Sequence, residues 1–119
     1  MKLLEAIRRV DELVNNAYTK GDKIKWLSEM DGMIHRTVLA THGVKEPFPG
    51  YTEYTEDDTE LLVPEPYDDM YVLWLESKIH YYNGEYTRYN NAAAAFSSIS
   101  QAFENDYHRN HPTGKTAFR

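Results

Sequence analysis

The chain of 119 residues contains no cysteine. This absence excludes disulfide scaffolds, thiolate zinc sites and cysteine nucleophiles, and it is consistent with a reducing compartment. No apolar run approaches the ~20 residues that a membrane-spanning helix requires. Near the N-terminus the charged residues Glu5, Arg8, Arg9 and Asp11 interrupt the apolar ones. We therefore expect neither a signal peptide nor a membrane anchor in that segment.

Basic residues are missing from one long stretch of the sequence. Between Glu46 and Ser77 there is no lysine or arginine, although this stretch contains ten of the 19 acidic residues. The rest of the chain has all 13 basic residues and nine acidic ones. The net charge of −6 disfavours non-specific binding to nucleic acid, which requires a basic surface. An acidic middle between mildly basic ends indicates a role in association rather than in folding.

Hydrophobic periodicity predicts an all-α fold, a small bundle of about four helices that forms a single domain over residues 1–107. The first two helices are predicted over residues 3–14 and 20–42. Their apolar stripes are formed by Leu3, Ile7, Val10 and Val14 in the first and by Ile24, Leu27, Met30, Ile34 and Val38 in the second. Thr19 and Asp22 form a candidate capping box, and Gly43 supplies a stop signal. Gly32 lies inside the second predicted helix, where glycine costs up to ~1 kcal/mol relative to alanine. We expect it to permit close packing of a neighbouring helix.

A long acidic loop is predicted over residues 44–65, because prolines and glycine there break the helical pattern. A loop longer than ~12–15 residues inside a compact domain is often functional. Leu61, Leu62 and Val63 are expected to pack against the bundle. The loop also carries carboxylates that are candidates for a partner-facing surface: Glu53, Glu56, Asp57, Asp58 and Glu60.

The third predicted helix begins at Pro66, which suits a first helical position. It is apolar around most of its circumference, with a polar strip formed by Asp69, Glu76, His80 and Asn83. Such a wide apolar face indicates contact with more than one neighbour. Six tyrosines lie between residues 67 and 89, a density typical of protein interfaces. We expect Tyr71, Trp74 and Tyr82 to line a subunit interface; a helical core built with tyrosine is the open alternative.

The fourth predicted helix follows Asn83 and Gly84, and residues 108–119 are predicted to form an extended tail that is flexible until bound. The apolar stripe of this helix is formed by Tyr89, Ala92, Phe96, Ile99, Phe103 and Tyr107.

Motifs for catalysis or cofactor binding are not found. The run 114–116 reads Gly-Lys-Thr, but Arg109 stands where a phosphate-binding loop needs its first glycine. The run 56–58 lacks the spacing of a calcium loop, so a solvated acidic surface is expected and a Ca²⁺ or Mg²⁺ site is the open alternative. The five histidines are scattered without the spacing of a helix-borne metal site. We therefore predict no catalytic residue, no cofactor and no metal.

Three segments together resemble a known family. They are MKLLEAIRRVDELVNNAYTKGDKIKWLSEMDGMI, ELLVPEPYDDMYVLWLESKIHYYNGEYTRYNN and AAAAFSSISQAFENDYHRNH. They resemble, in order, the paired N-terminal helices, the central helix with its turn, and the closing helix of small head–tail connector (adaptor, head-completion) proteins of tailed bacteriophages and prophages. The resemblance implies a ring at the portal vertex that joins head to tail, with DNA passing through its lumen and with no catalytic residues.

The partners that the resemblance implies are further copies of the chain, the portal protein, and downstream tail or stopper proteins, with no membrane. It implies synthesis in the cytoplasm of a bacterial host and a final location in the neck of the virion. The resemblance assigns no role to the acidic segment; from their charge alone we expect the five carboxylates of residues 53–60 to face a partner subunit or the lumen. Lys115, Phe118 and Arg119 would dock the C-terminal tail on the portal protein or on the next ring. The alternative is a small cytoplasmic helical adaptor or regulatory module that binds a protein partner through its tyrosine-rich face.

Overall fold

The computed structural model describes residues 1–111, and this part of the chain contains four helices. They are α1 (Leu3–Leu13), α2 (Lys20–Ile34), α3 (Asp69–Tyr82) and α4 (Tyr86–Asn110). A π-helical turn (His35–Leu39) and a 3₁₀ turn (Ala40–His42) continue α2 without a break. Within residues 1–111 the only β-pairing is an isolated bridge between Lys2 and Glu60. The all-α prediction is confirmed. No helix of the described residues combines the length and the apolarity needed to cross a bilayer.

The predicted start and end of α2 are also confirmed. The Thr19 hydroxyl accepts a hydrogen bond from the Asp22 N–H (3.0 Å), and the Asp22 carboxylate accepts one from the Thr19 N–H (3.1 Å). This reciprocal pair satisfies two amide groups that have no partner within the helix. At the other end Gly43 has a φ of +93°, a conformation that glycine adopts without the steric cost a side chain would bring.

Two predicted boundaries are wrong. The third helix begins at Asp69 rather than at Pro66, because residues 64–67 form a separate turn in which the Tyr67 N–H bonds to the Pro64 carbonyl. The predicted tail from residue 108 is wrong as well, since α4 continues through Asn110. The last turns of α4 pack against the 3₁₀ turn that follows α2, where His108 contacts His42. The predicted docking residues Lys115, Phe118 and Arg119 lie outside the described residues.

The core lies around α3, which contacts α1, α2 and α4. The predicted apolar stripes of the first two helices supply much of it: Leu3, Ile7 and Val10, then Ile24, Leu27, Met30, Ile34 and Val38, all buried. α3 contributes Met70, Tyr71, Leu75 and Ile79, which are fully buried. α4 buries only Ala92 and Phe103, so most of this long helix faces outward.

The loop 44–68 wraps around α2 and the start of α1. The carbonyls of Thr59 and Asp57 accept hydrogen bonds from the Leu3 and Leu4 N–H groups at 2.9 and 3.0 Å, and so satisfy amides that a helix start leaves unpaired. Leu61 and Val63 are buried, as expected, whereas Leu62 is half-buried. The expected helix neighbour of Gly32 is wrong: a β-carbon there would meet the ring of Phe48, from this loop, at 3.7 Å.

Candidate interaction surfaces

A group of aromatic side chains lies at the turn between α3 and α4; its tyrosines are exposed or half-buried, and they pack around Trp26, which is 7% exposed. We call it the aromatic surface, and it consists of Tyr18, Trp26, Tyr81, Tyr82, Tyr86 and Tyr89. Tyr81, Tyr82 and Tyr86 are 49%, 57% and 61% exposed. Exposing large aromatic rings to water is unfavourable in free energy, and such rings are enriched at the centres of protein interfaces.

The rings of the aromatic surface contact one another in a continuous series. Tyr82 stacks on Trp26 with ring centroids 5.7 Å apart and planes 8° from parallel. Tyr18 packs edge-on against Trp26 with ring centroids 5.4 Å apart. Tyr81 lies 5.3 Å from Tyr82 and 5.3 Å from Tyr89. The surface is therefore preorganised, because each exposed ring is held by another ring before any partner arrives.

The turn that carries these rings is fixed by hydrogen bonds. Gly84 has a φ of +75° and lets the chain reverse between the helices. The Tyr18 hydroxyl donates to the Asn83 side-chain oxygen at 2.7 Å and joins the turn to the segment before α2. The Glu85 N–H donates to the His80 carbonyl at 2.9 Å. These bonds set the angle at which α4 leaves α3, and thus the positions of the rings.

His80 supports the same turn, and its predicted place in the polar strip of α3 is wrong. Its side chain is 4% exposed, with ring nitrogens 2.9 Å from a Glu85 carboxylate oxygen and 3.8 Å from one of Glu76. The hydrogen bond from His80, assisted by Asn83 and Arg88, holds the pKa of Glu85 below its usual range. A buried polar group of this kind needs its partners, so His80 has a structural role that periodicity does not reveal.

The three predicted interface residues have different environments. Tyr71 is wrong as an interface residue, because its side chain is completely buried in its own chain. Trp74 is half-buried: its ring N–H donates to the Trp26 carbonyl at 2.8 Å, and its ring packs 5.2 Å from Phe96. Tyr82 is exposed and belongs to the aromatic surface, so its role at an interface stays a prediction.

Tyr71 is instead part of a buried hydrogen-bond network around Asp31, which is 0% exposed. The hydroxyls of Tyr71 and Tyr51 each donate to the Asp31 carboxylate at 2.6 Å, and the Leu62 N–H donates to it at 3.0 Å. The Tyr71 hydroxyl also accepts from the Val63 N–H at 2.6 Å. The network therefore joins α2, α3 and the loop 44–68 at one carboxylate.

Titration behaviour follows from this burial. Burial raises the pKa of Asp31 above its usual range, although hydrogen bonds from Tyr51, Tyr71 and the Leu62 N–H oppose the shift. Burial and the adjacent carboxylate also raise the pKa of both tyrosines. The tyrosines thus remain hydrogen-bond donors, and the network stabilises the fold rather than supplying an acid or a base to solvent.

The five predicted partner-facing carboxylates are all exposed, but they are not equivalent. Asp57 bonds to Lys20 at 2.7 Å, and Glu60 lies 3.3 Å from the amino group of Met1. Glu53, Glu56 and Asp58 make no ion pair with any residue of the described part of the chain. Within residues 1–111, these three are therefore the members of the predicted set that carry no ion pair.

The histidines are less scattered than their spacing suggests. Nε2 of His42 lies 2.5 Å from Nδ1 of His108, and the ring of His111 stacks on Tyr107 at 3.9 Å. This cluster forms where the end of α4 meets the turn that follows α2. The sequence offered no signal for it, because residues 42 and 108 come together only in the tertiary fold. Over residues 1–111 no group of three potential ligands is arranged to hold a metal ion.

Comparison with known proteins gives no match, whether with family models, with curated proteins or with solved structures.

Proposed function

We propose that this chain is a structural, non-enzymatic subunit of a tailed bacteriophage or prophage particle. It is a head–tail connector that assembles as a ring at the portal vertex, with DNA passing through the lumen. Its partners are further copies of itself, the portal protein, and tail or stopper proteins. It is made in the cytoplasm of the bacterial host and resides in the neck of the virion.

The observation that carries the proposal is the aromatic surface. Three tyrosines about half exposed or more form a patch that a protein partner would cover: Tyr82 stacks on Trp26, and Tyr81 packs against both Tyr82 and Tyr86. A closed ring requires two different surfaces on each subunit that fit each other. The aromatic surface supplies one surface, and a different part of the neighbouring subunit supplies the other. The resemblance of the three sequence segments points to the same kind of assembly.

The charge of the acidic loop supports the proposal that DNA passes through the lumen of the ring. Glu53, Glu56 and Asp58 are exposed and without ion-pair partners among residues 1–111. Carboxylates that face a lumen repel the phosphates of DNA, so that DNA slides without binding. A contact with basic residues of a neighbouring ring is the other use of the same side chains.

The test is complementation of a particle-forming phage or prophage from which the gene is deleted. The double variant Tyr82→Ser with Tyr86→Ser removes two exposed rings from the aromatic surface. The matched control is Tyr54→Ser, which removes a tyrosine that is 86% exposed outside that surface. We expect the control to restore infectious particles and the double variant to leave filled heads without tails. If the double variant and the control restore infectious particles equally, the aromatic surface has no role in assembly.

The alternative is a cytoplasmic helical adaptor that binds one protein partner through the aromatic surface. The same observation favours it, because a single rigid patch also suits a heterodimer. Mass spectrometry of purified particles distinguishes the two proposals. A connector is present in a fixed ratio to the portal protein, whereas an adaptor is absent from the particle.

A further inference from the structure

The end of α4 is joined to the 3₁₀ turn (Ala40–His42) by two imidazole rings, which we call the histidine pair (His42 and His108). Nε2 of His42 lies 2.5 Å from Nδ1 of His108. His108 is exposed, whereas Nδ1 of His42 is buried and has no hydrogen-bond partner among residues 1–111. Buried polar atoms in folded proteins are nearly always paired, so the protonation of this nitrogen affects the stability of the contact.

The number of protons that the histidine pair can hold follows from these positions. A neutral imidazole has one N–H group and one acceptor nitrogen, and an imidazolium has two N–H groups. In the neutral pair, His42 can donate from Nε2 to Nδ1 of His108 while its own buried Nδ1 carries no hydrogen. After a proton is added to either ring, two N–H groups face each other or Nδ1 of His42 carries a hydrogen without an acceptor. Each outcome is unfavourable, because it removes a hydrogen bond or leaves a buried N–H group unpaired.

No carboxylate close to the pair compensates for the added charge. Within residues 1–111, His80 is the only histidine with a carboxylate oxygen within 4.0 Å of a ring nitrogen. A third imidazole, that of His111, instead lies near the pair, with its ring centroid 6.4 Å from that of His42. Protonation of these rings therefore brings like charges together.

The other charged and titratable groups of the segments that meet here do not bond to these three rings within residues 1–111. They are Glu104, Asp106 and Arg109 on α4, and His35, Arg36, Lys45 and Glu46 around the turn. Asp106 bonds instead to Arg109 at 3.2 Å. The ring of Tyr107 lies 5.2 Å from that of His42, and a tyrosine hydroxyl is uncharged in the acidic range. The response of the contact to acid is therefore set by the histidine rings themselves.

We propose that the histidine pair is a pH-sensitive contact, which holds the last turn of α4 on the 3₁₀ turn when both rings are neutral and releases it when acid adds a proton. Imidazole side chains in water gain this proton at about pH 6.5. Phe103 is buried and Tyr107 packs against the core, so the release is confined to the last turn of α4. This assignment does not depend on the proposed role in a phage particle.

NMR spectra of the full chain at two pH values test the proposal. At about pH 7.5 the ring ¹⁵N shifts should place the hydrogen of His42 on Nε2, and a nuclear Overhauser effect should connect the rings of His42 and His108. At about pH 5 this effect should disappear, and the ¹³Cα shifts of Arg109 and Asn110 should move toward random-coil values. A ring-to-ring effect that persists at the lower pH, or a hydrogen on Nδ1 of His42 at the higher pH, would overturn the proposal.

Substitutions assign the response to the pair. His42→Gln supplies both a donor and an acceptor to His108, so the last turn should stay in place at both pH values and the shifts of Arg109 and Asn110 should not change. His42→Phe, which places a ring without a titratable nitrogen there, should also remove the response. The matched control His111→Gln removes the nearby histidine outside the pair and should keep the response. A response that survives in both variants of His42, or one that is lost in His111→Gln, would overturn the assignment to the pair.

Discussion

The substitution Tyr71→Phe removes one oxygen atom and tests whether the Asp31 network holds the long loop in place. The Tyr71 hydroxyl makes two buried hydrogen bonds of 2.6 Å, one to the Asp31 carboxylate and one from the Val63 N–H. A hydrogen bond to a charged group contributes ~1.5–3 kcal/mol, and a buried amide left without a partner costs ~1–3 kcal/mol. These contributions overlap, so we expect the free energy of unfolding to fall by about 3 kcal/mol.

Urea denaturation followed by circular dichroism measures this change in the free energy of unfolding. The same substitution at two other tyrosines provides the comparison. Tyr51 is half-buried and makes one hydrogen bond to Asp31, so Tyr51→Phe should cost about 1–1.5 kcal/mol. Tyr82→Phe is the control, because its ring is exposed and its hydroxyl has no hydrogen-bond partner among residues 1–111. Its effect should lie within ~0.5 kcal/mol of zero.

Hydrogen exchange shows where the Tyr71→Phe variant is weakened. The amides of Leu62 and Val63 should exchange faster, because the first donates to Asp31 and the second to the removed hydroxyl. Amides in the middle of α4 should be affected only through global unfolding. A Tyr71→Phe variant as stable as Tyr82→Phe, with unchanged exchange at Val63, would refute the role assigned to the network.

Three further predictions concern the loop, titration and assembly. Gly32→Ala should raise the free energy of unfolding by up to ~1 kcal/mol, since the added methyl group meets Phe48 at an ordinary contact distance of 3.7 Å; a lower urea midpoint than that of the unsubstituted chain would contradict this. The pKa of Asp31, followed by its ¹³C carboxyl shift, should lie above the ordinary value of 3.8 and rise further in Tyr71→Phe, which loses a hydrogen bond that lowers it. Because the folded-state pKa of Asp31 is raised, its contribution to stability is present below pH 3.8 and is lost as the pH rises through the folded-state value. A measured Asp31 pKa below 3.8 would reverse the direction of this pH dependence. Glu56→Lys with Asp58→Lys should reduce particle assembly or DNA passage while circular dichroism remains helical, because neither side chain has an ion-pair partner in residues 1–111; normal infectivity would exclude a role for these carboxylates.

Local signals in the sequence were sufficient for most of the helical architecture. The apolar stripes of α1 and α2, the capping box at Thr19 and the stop at Gly43 depend on residues within one or two turns of each other, and all are present in the structure. The stripe of α4 also packs inward: Tyr89 contacts Tyr81, Phe96 contacts Trp74, and Phe103 is buried beside Tyr67. The start of α3 was misplaced because Pro66 suits both a first helical position and a turn.

The side-chain environments depend on contacts distant in sequence, which explains the errors. Tyr71 and Tyr82 have the same chemistry and lie on the same side of one helix, yet the first is buried against Asp31, 40 residues away, and the second is exposed. Periodicity identifies the apolar side of a helix but not which part of it the loop 44–68 covers. His80 was misassigned for a related reason: its partner Glu85 lies beyond the turn that ends α3.

Cryo-electron microscopy of the neck of the particles in which we propose that this chain resides tests the central claim most directly. The account predicts a ring of this subunit at the portal vertex, with Tyr81, Tyr82 and Tyr86 of each copy buried against its neighbour. A neck that lacks the chain, or one in which these three tyrosines face solvent, would contradict it.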